Sequence, residues 1–421
     1  MGRKMKDSGI EWIGEIPEDW DKDKVVRIFS TIGSGTTPKS NDENYFDGKN
    51  NWIQSGDING GILKECKTKI SDEAVNKFSA LKLYVSPFLI MAMYGASVGN
   101  LSISKIDGYV NQACCVLKSE SSDMRYLFYS LYAARDELIL HAMGSGQPNI
   151  SQNTIKQLWL PFPSKKEQEI VVNFLDSKCN HINAIINKTR TSIEEYKKLK
   201  QSIITQAVTK GIRPNRKMKD SGIEWIGEIP EEWDSMNPKA LFTQRKDRAK
   251  NGERQLTASQ QFGVIYQDEY MERTGTKVVT VEKDFDILKH VEMGDFVISM
   301  RSFQGGLEYS EYTGSISSAY VMLIPNVELV FPHYYKWLLK SSVYINALQS
   351  TSNMVRDGQA MRYSNFAQVR LFMVPLEEQK EIANYLDVKI SKINTLISKK
   401  EQLLTELENY KKSLIFEYVT G

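Results

Sequence analysis

Residues 167–209 read EQEIVVNFLDSKCNHINAIINKTRTSIEEYKKLKQSIITQAVT, and their apolar positions fall on a heptad. Val172, Cys179, Ile186, Ile193 and Ala207 form one row; Leu175, Ile182, Tyr196 and Ile203 form the other. The register returns 211 residues later as Ala383, Ile390, Ile397, Leu404 and Tyr418, beside Leu386, Ile393, Leu407 and Leu414. Even the interruptions correspond, Thr189 and Lys200 being answered by Lys400 and Lys411. No Pro or Gly lies between Lys165 and Lys210 or between Leu376 and Thr420, so nothing forces either helix to stop early. A helix of about forty residues spans roughly 60 Å, and a two-row seam at period 3.5 wants a partner helix. The other copy is the natural partner. An antiparallel pairing carries the globular sequence that precedes each helix to opposite ends, related by a pseudo-two-fold axis. The plainer alternative, two ordinary amphipathic helices each packed on its own domain, leaves the shared register unexplained.

Working outward from the helices, residues 5–20 read MKDSGIEWIGEIPEDW and residues 218–233 read MKDSGIEWIGEIPEEW; only Asp19 and Glu232 differ. The chain is therefore built from a duplicated unit. Gly211 and Pro214 stop the first helix just before the second block begins. Under a two-fold relation, the block at Met5 sits beside the end of the second helix, so the start and end of the chain are neighbours and the architecture is cyclic. The expected divisions are a first domain over 1–160, a long helix over 161–211, a second domain over 212–373 and a second long helix over 374–421.

Between block and helix, each copy carries a segment that is not obviously repeated. The first has strand-like runs at Leu81–Val85, Phe88–Tyr94 and Tyr109–Leu117, then a helical pattern over Met124–Ala142. The second has strand-like runs at Lys277–Val281, Asp295–Met300 and Ala319–Ile324, then a helical pattern over Phe331–Leu348. Gly108–Ala113 (GYVNQA) faintly matches Gly314–Ala319 (GSISSA). The order of elements agrees while the letters mostly differ, which predicts two mixed α/β (α+β) domains of one fold joined by a long antiparallel two-helix coiled coil.

At 421 residues the chain has room for two or more cores, and 41% hydrophobic with 25% charged residues excludes a disordered or fibrous chain. No apolar run is long enough to span a bilayer, and the first ten residues lack a signal core, which predicts a cytoplasmic protein. Cys66, Cys114, Cys115 and Cys179 show no CxxC spacing and the four histidines are scattered, so neither a disulfide framework nor a zinc site is expected. The net charge of +2 announces no nucleic-acid partner, although Lys239, Arg245, Lys246, Arg248, Lys250 and Arg254 crowd one polar stretch. A solvated face is the ordinary meaning of such a run. There is no GxxxxGK[ST], HExxH or GxSxG motif, nor an Asn-Pro-Pro-aromatic run.

The layout resembles the specificity subunit of type I restriction-modification systems over essentially the whole chain. The resemblance rests on the duplicated SGIEWIGEIPE blocks, on Gly33-Ser-Gly-Thr-Thr-Pro38 followed by Trp52-Ile53 and Ser55-Gly56-Asp57, and on Gly146-Gln-Pro-Asn-Ile-Ser151. It rests also on the Pro163…Glu167-Gln168 and Pro375…Glu378-Gln379 openings of the long helices. The second domain departs from the first, with Asp357-Gly358-Gln359 and Met361-Arg362 where the first has Gly146-Gln147. The resemblance implies a non-catalytic DNA-binding subunit with two target-recognition domains that reads a bipartite, asymmetric site. It implies two methyltransferase subunits using S-adenosylmethionine and motor-nuclease restriction subunits using ATP and Mg2+, with no cofactor in this chain. Two domains on a stiff rod dock on one face of a duplex about one turn, ~34 Å or 10 base pairs, apart. Taking the target base out of the stack falls to the modification subunit.

Base reading favours Arg or Lys at guanine and Asn or Gln at adenine, with hydroxyls as adaptable partners. The expected DNA-binding residues in the first domain are Ser34, Thr36, Thr37 and Lys39, then Tyr94 and Ser97, then Gln147 and Asn149. In the second they are Ser259 and Gln260, Arg301 and Gln304, and Arg356, Gln359 and Arg362. Ser, Thr and Asn also serve simply as turn formers, and Arg301, the best placed beside Gly305-Gly306, could equally pair with an acid. Trp12, Trp20, Trp225 and Trp233 are expected to be packing aromatics, with partner docking as the second reading. The rival functions are a coiled-coil adaptor for two protein-binding domains, which would not hold duplex DNA, and a free-standing methyltransferase or nuclease, which would bind its own cofactor.

Overall fold

The computed structural model describes residues 3–142, 149–281, 287–299, 307–351 and 363–421. The chain divides into two units: Met1–Thr189 completed by Gln402–Gly421, and Arg190–Glu401.

The long helices run unbroken over Lys165–Lys210 and Leu376–Thr420. In the first unit Val172, Leu175, Cys179, Ile182 and Ile186 share a core with Leu414, Ile415 and Val419. The Phe174 and Tyr418 rings stack with centroids 4.1 Å apart, and Lys411 Nζ donates to Asn183 Oδ1 at 2.9 Å. Numbers fall along one helix as they rise along the other, so the pairing is antiparallel. The second unit pairs its portions the same way: Ile204, Ala207 and Val208 pack with Ala383, Leu386, Ile390 and Ile393, and Lys200 Nζ donates to Asn394 Oδ1 at 2.8 Å. Lys200 and Lys411, which interrupt the seam at equivalent positions, thus find equivalent asparagines, and burial pushes the Lys200 ammonium down from its ordinary value.

Each repeated block is a two-stranded hairpin, Met5–Asp7 with Glu15–Pro17 and Met218–Asp220 with Glu228–Pro230. Trp20 and Trp233 are fully buried. Trp12 meets Phe416 edge-on, and Trp225 packs on Tyr344 and Phe372, which is the packing role expected of all four. Gly421 presses on the Pro17 ring, leaving no space for a Cβ. The first hairpin and the last residue are therefore neighbours, as the cyclic reading requires.

In the first unit a five-stranded sheet runs in the order Thr31–Gly33, Cys114–Lys118, Phe88–Ala92, Leu101–Ser104, Ile62–Leu63, antiparallel except for the last pair. Its central strands are buried on both faces, and side-chain alternation splits them between two cores. Leu89, Met91, Cys115 and Leu117 face the helices; Phe88, Ile90, Ala92, Cys114 and Val116 face a smaller cluster with Ile53 and Val110. A second sheet joins Tyr109–Val110, Phe46–Ile53 and Lys69–Ile70. The second unit repeats this parity: Phe296, Ile298, Val321 and Leu323 belong to the helix-side core, Val297 and Met322 to the other.

Two of the expected strands do not form. Leu81–Val85 makes only the single bridge Tyr84–Gly108, because the chain turns there and leaves Leu83 and Val85 exposed. Lys277–Val281 joins no ladder; instead the Gln255 side chain accepts from Val281 N at 2.9 Å and donates to its carbonyl at 2.7 Å. The expected helices are each broken in two, at Ala134 and between Leu338 and Ser342.

Candidate nucleic-acid interface

The Gly-rich loop after the Thr31–Gly33 strand is fastened at successive residues. The Tyr84 hydroxyl donates to the Ser34 carbonyl at 2.9 Å, and the Trp52 indole N–H donates to the Thr36 carbonyl at 3.2 Å. Between them Gly35 lies so close to the Val110 carbonyl that a Cβ would collide with it. The Thr37 hydroxyl then donates to the side-chain oxygen of Gln112. From the other side the Tyr94 hydroxyl donates to the Gln112 carbonyl at 2.6 Å, burial holding this phenol above its ordinary pKa. Tyr94 also forms a backbone bridge with Asn149, and Ile150 N donates to Met93 O at 2.8 Å. Four of the expected residues, Thr36, Thr37, Tyr94 and Asn149, are thereby gathered around the Val110–Gln112 turn, Asn149 and Gln112 being exposed.

Lys39 is exposed just beyond this loop. Ser97 ends a 3-10 turn over Gly95–Ser97, where its carbonyl accepts from Asn100 N at 2.9 Å. Gln147 lies outside the described residues, as do Arg301, Gln304, Arg356, Gln359 and Arg362. Gln112 was not singled out from the sequence, although it stands in the GYVNQA segment shared faintly by both domains.

In the second unit, Leu256–Ser259 and Gly263–Tyr266 form a hairpin. The Ser259 hydroxyl accepts from Gln261 N at 3.2 Å and from Phe262 N at 3.4 Å, so its role is to shape the turn; Gln260 is exposed at the tip. The basic stretch resolves into two kinds of residue. Arg245 forks onto Asp295 (2.6 and 3.0 Å) and reaches Asp247 at 2.9 Å, which raises its pKa further. Arg254 pairs with Asp268 at 2.8 Å and lies 3.6 Å over the Tyr266 ring. Lys246, Arg248 and Lys250 are exposed and have no ion-pair partner among the described residues, which leaves them open to an anionic ligand. Among those residues no group of three or more His, Cys, Asp or Glu could hold a metal ion, and no helix is long and apolar enough to cross a membrane.

Comparison with known proteins bears on the chain as a whole and on its fold. The family model described as "Type I restriction modification DNA specificity domain" matches residues 17–195. The chain is 25% identical to the putative type I restriction enzyme MjaX specificity subunit of Methanocaldococcus jannaschii, covering 97% of this chain and 95% of that one. It is 24% identical to the MjaVIII specificity subunit of the same organism, over 96% and 93% of the two chains. A solved chain from the "structural basis underlying complex assembly and conformational transition of the type I R-M system" superposes with a TM-score of 0.70 at 16% identity, covering 96% of this chain and 99% of that one.

Proposed function

We propose that the chain, which is similar over nearly its whole length to type I restriction-modification specificity subunits, is itself such a subunit, reading a bipartite, asymmetric DNA site and recruiting the methyltransferase and restriction subunits to it. On this reading each domain recognises a few base pairs through its groove edge, with unread base pairs between. The chain carries no catalysis of its own. S-adenosylmethionine serves the two methyltransferase subunits, which modify adenine, and ATP with Mg2+ serves the motor-nuclease subunits.

The observation that supports this most is one scaffold bearing two unlike surfaces. Trp20 and Trp233 are buried alike, and Arg3 and Arg216, and Gln168 and Gln379, make corresponding contacts in the two units. The polar edges differ: half-buried Thr37 beside exposed Gln112 and Asn149 in the first, the exposed Gln260 hairpin tip and Lys246, Arg248 and Lys250 in the second. Unlike readers on like supports imply two half-sites of different sequence. The DNA-binding set we propose comprises Ser34, Thr36, Thr37, Lys39, Tyr94, Ser97, Gln147 and Asn149, with Gln260, Arg301, Gln304, Arg356, Gln359 and Arg362 in the second domain.

The test is methylation-aware sequencing of cells expressing the chain with its methyltransferase subunits. Two short specified blocks separated by a fixed unspecified gap, together not a palindrome, are the expected motif. A continuous or palindromic motif, or no retention of the assembled complex on duplex DNA at moderate salt, would overturn the proposal and favour a protein-binding adaptor.

A further inference from the structure

An exposed glutamine ordinarily samples many rotamers, and fixing it on binding costs conformational entropy. Gln112 is exposed but already fixed at both ends of its residue, the side-chain oxygen by the Thr37 hydroxyl and the backbone carbonyl by the Tyr94 hydroxyl at 2.6 Å. Neither strap is itself loose. Thr37 closes the loop pinned through the Ser34 and Thr36 carbonyls, and Tyr94 follows the fully buried Phe88–Ala92 strand. A polar side chain locked by its supporting shell on a rigid element is the arrangement that precise recognition needs.

The chemistry left open is specific. Thr37 occupies one lone pair of the amide oxygen, and a second remains. The amide nitrogen has no hydrogen-bond partner among the described residues. One acceptor beside one donor in a plane matches the major-groove edge of adenine, which offers the N6 amino group and the N7 acceptor side by side. We infer that Gln112 reads an adenine in the half-site of the first domain, with Thr37 and Tyr94 as positioning residues. The inference rests on the DNA-reading role proposed above. In the second unit the matching segment Gly314–Ala319 places Ser318 at this position, exposed as Gln112 is. A serine hydroxyl donates and accepts through one oxygen and cannot offer a donor and an acceptor side by side, so this position specifies adenine in one half-site only.

The experiment is binding-site selection from a random duplex library, using the full chain assembled with its methyltransferase subunits. Gln112→Ala is expected to lose preference for one adenine by about 5- to 150-fold, with the other half-site and the gap unchanged. Gln112→Glu keeps the size and the Thr37 contact but offers only acceptors, so it moves that position towards cytosine, whose N4 amino group donates. Thr37→Val, which releases the strap and leaves Gln112 in place, weakens discrimination at the same position. If the Ala and Glu variants both select the wild-type motif with unchanged preference, the role of Gln112 is overturned while DNA reading stands. If the wild-type complex selects no motif, both fall.

Discussion

The duplication places one ion pair in two settings, and this allows a prediction with its own control. In the second unit Arg216 bonds Glu378 with only 7% and 2% of their side chains exposed, and the Trp233 indole N–H donates to the same carboxylate at 3.0 Å. In the first unit Arg3 bonds Glu167 with 40% and 23% exposed. Removing the arginine from the buried pair leaves a carboxylate without its countercharge, which costs about 3–5 kcal/mol. The exposed pair trades protein contact for water, and its loss costs about 0–1 kcal/mol. For a unit of this size that corresponds to a melting shift of roughly 6–20 °C for Arg216→Met and under about 4 °C for Arg3→Met. Calorimetry on the full chain, with hydrogen exchange at the first turn of each long helix to assign the transitions, measures both. The double variant Arg216→Met with Glu378→Gln removes the orphaned charge and keeps an acceptor for Trp233, so it should recover most of the loss. Equal losses at the two sites, or a double variant no more stable than the single, would refute the reasoning that burial sets the cost.

Three further outcomes follow from particular contacts. Burial pushes the Glu308 carboxyl above its ordinary value of 4.5 despite Lys340 at 2.6 Å, so stability from its protonated form is complete below that value and is lost as pH rises through the raised one. Glu308→Gln should therefore raise the melting temperature of the second unit at pH 7, the gain vanishing towards pH 4.5; a loss at pH 7 would contradict this. Gly35→Ala drives a Cβ into the Val110 carbonyl and should cost about 1–3 kcal/mol while blurring one half-site only, as read by hydrogen exchange and site selection. Ending the chain at Glu401 removes Leu414, Ile415 and Val419 from the core of the first unit, about 5–9 kcal/mol at ~1.5–3 kcal/mol per buried side chain. Limited proteolysis should then cut within residues 3–189 and spare the contiguous 190–401.

What the sequence made legible was whatever repeats or alternates. The heptad survives as two unbroken helices because neither holds a Gly or Pro, and the apolar run Phe88–Ala92 is a strand buried on both faces. Leu81–Val85 has the composition of a strand, but its fate depended on whether a neighbour was in reach, and only Gly108 is. The site was less legible for the same reason at longer range. Thr37 and Tyr94 were chosen singly, yet their common partner Gln112 lies 75 and 18 residues away, and no local pattern joins the three. Counting charges along Lys239–Arg254 overstated the free cations, since Asp295 and Asp268, outside that window, take up Arg245 and Arg254.

The helix openings explain how one scaffold tolerates two unlike domains. Gln168 is buried, accepts from Asp123 N at 3.1 Å and donates to the Pro163 carbonyl at 3.0 Å. Gln379 accepts from Phe331 N at 2.7 Å and donates to the Leu329 and Val374 carbonyls, each at 2.8 Å. In both units the acceptor side meets the N-cap of the domain's own helix, at Asp123 before Met124–Ala133 and at Phe331 before Pro332–Leu338. Every partner is a backbone group. A grip on backbone N–H and C=O constrains where the domain's helix begins but not which side chains it carries. The exposed surfaces are therefore free to differ while each domain stays fixed on its helix, which is what the proposed pair of unlike half-site readers requires.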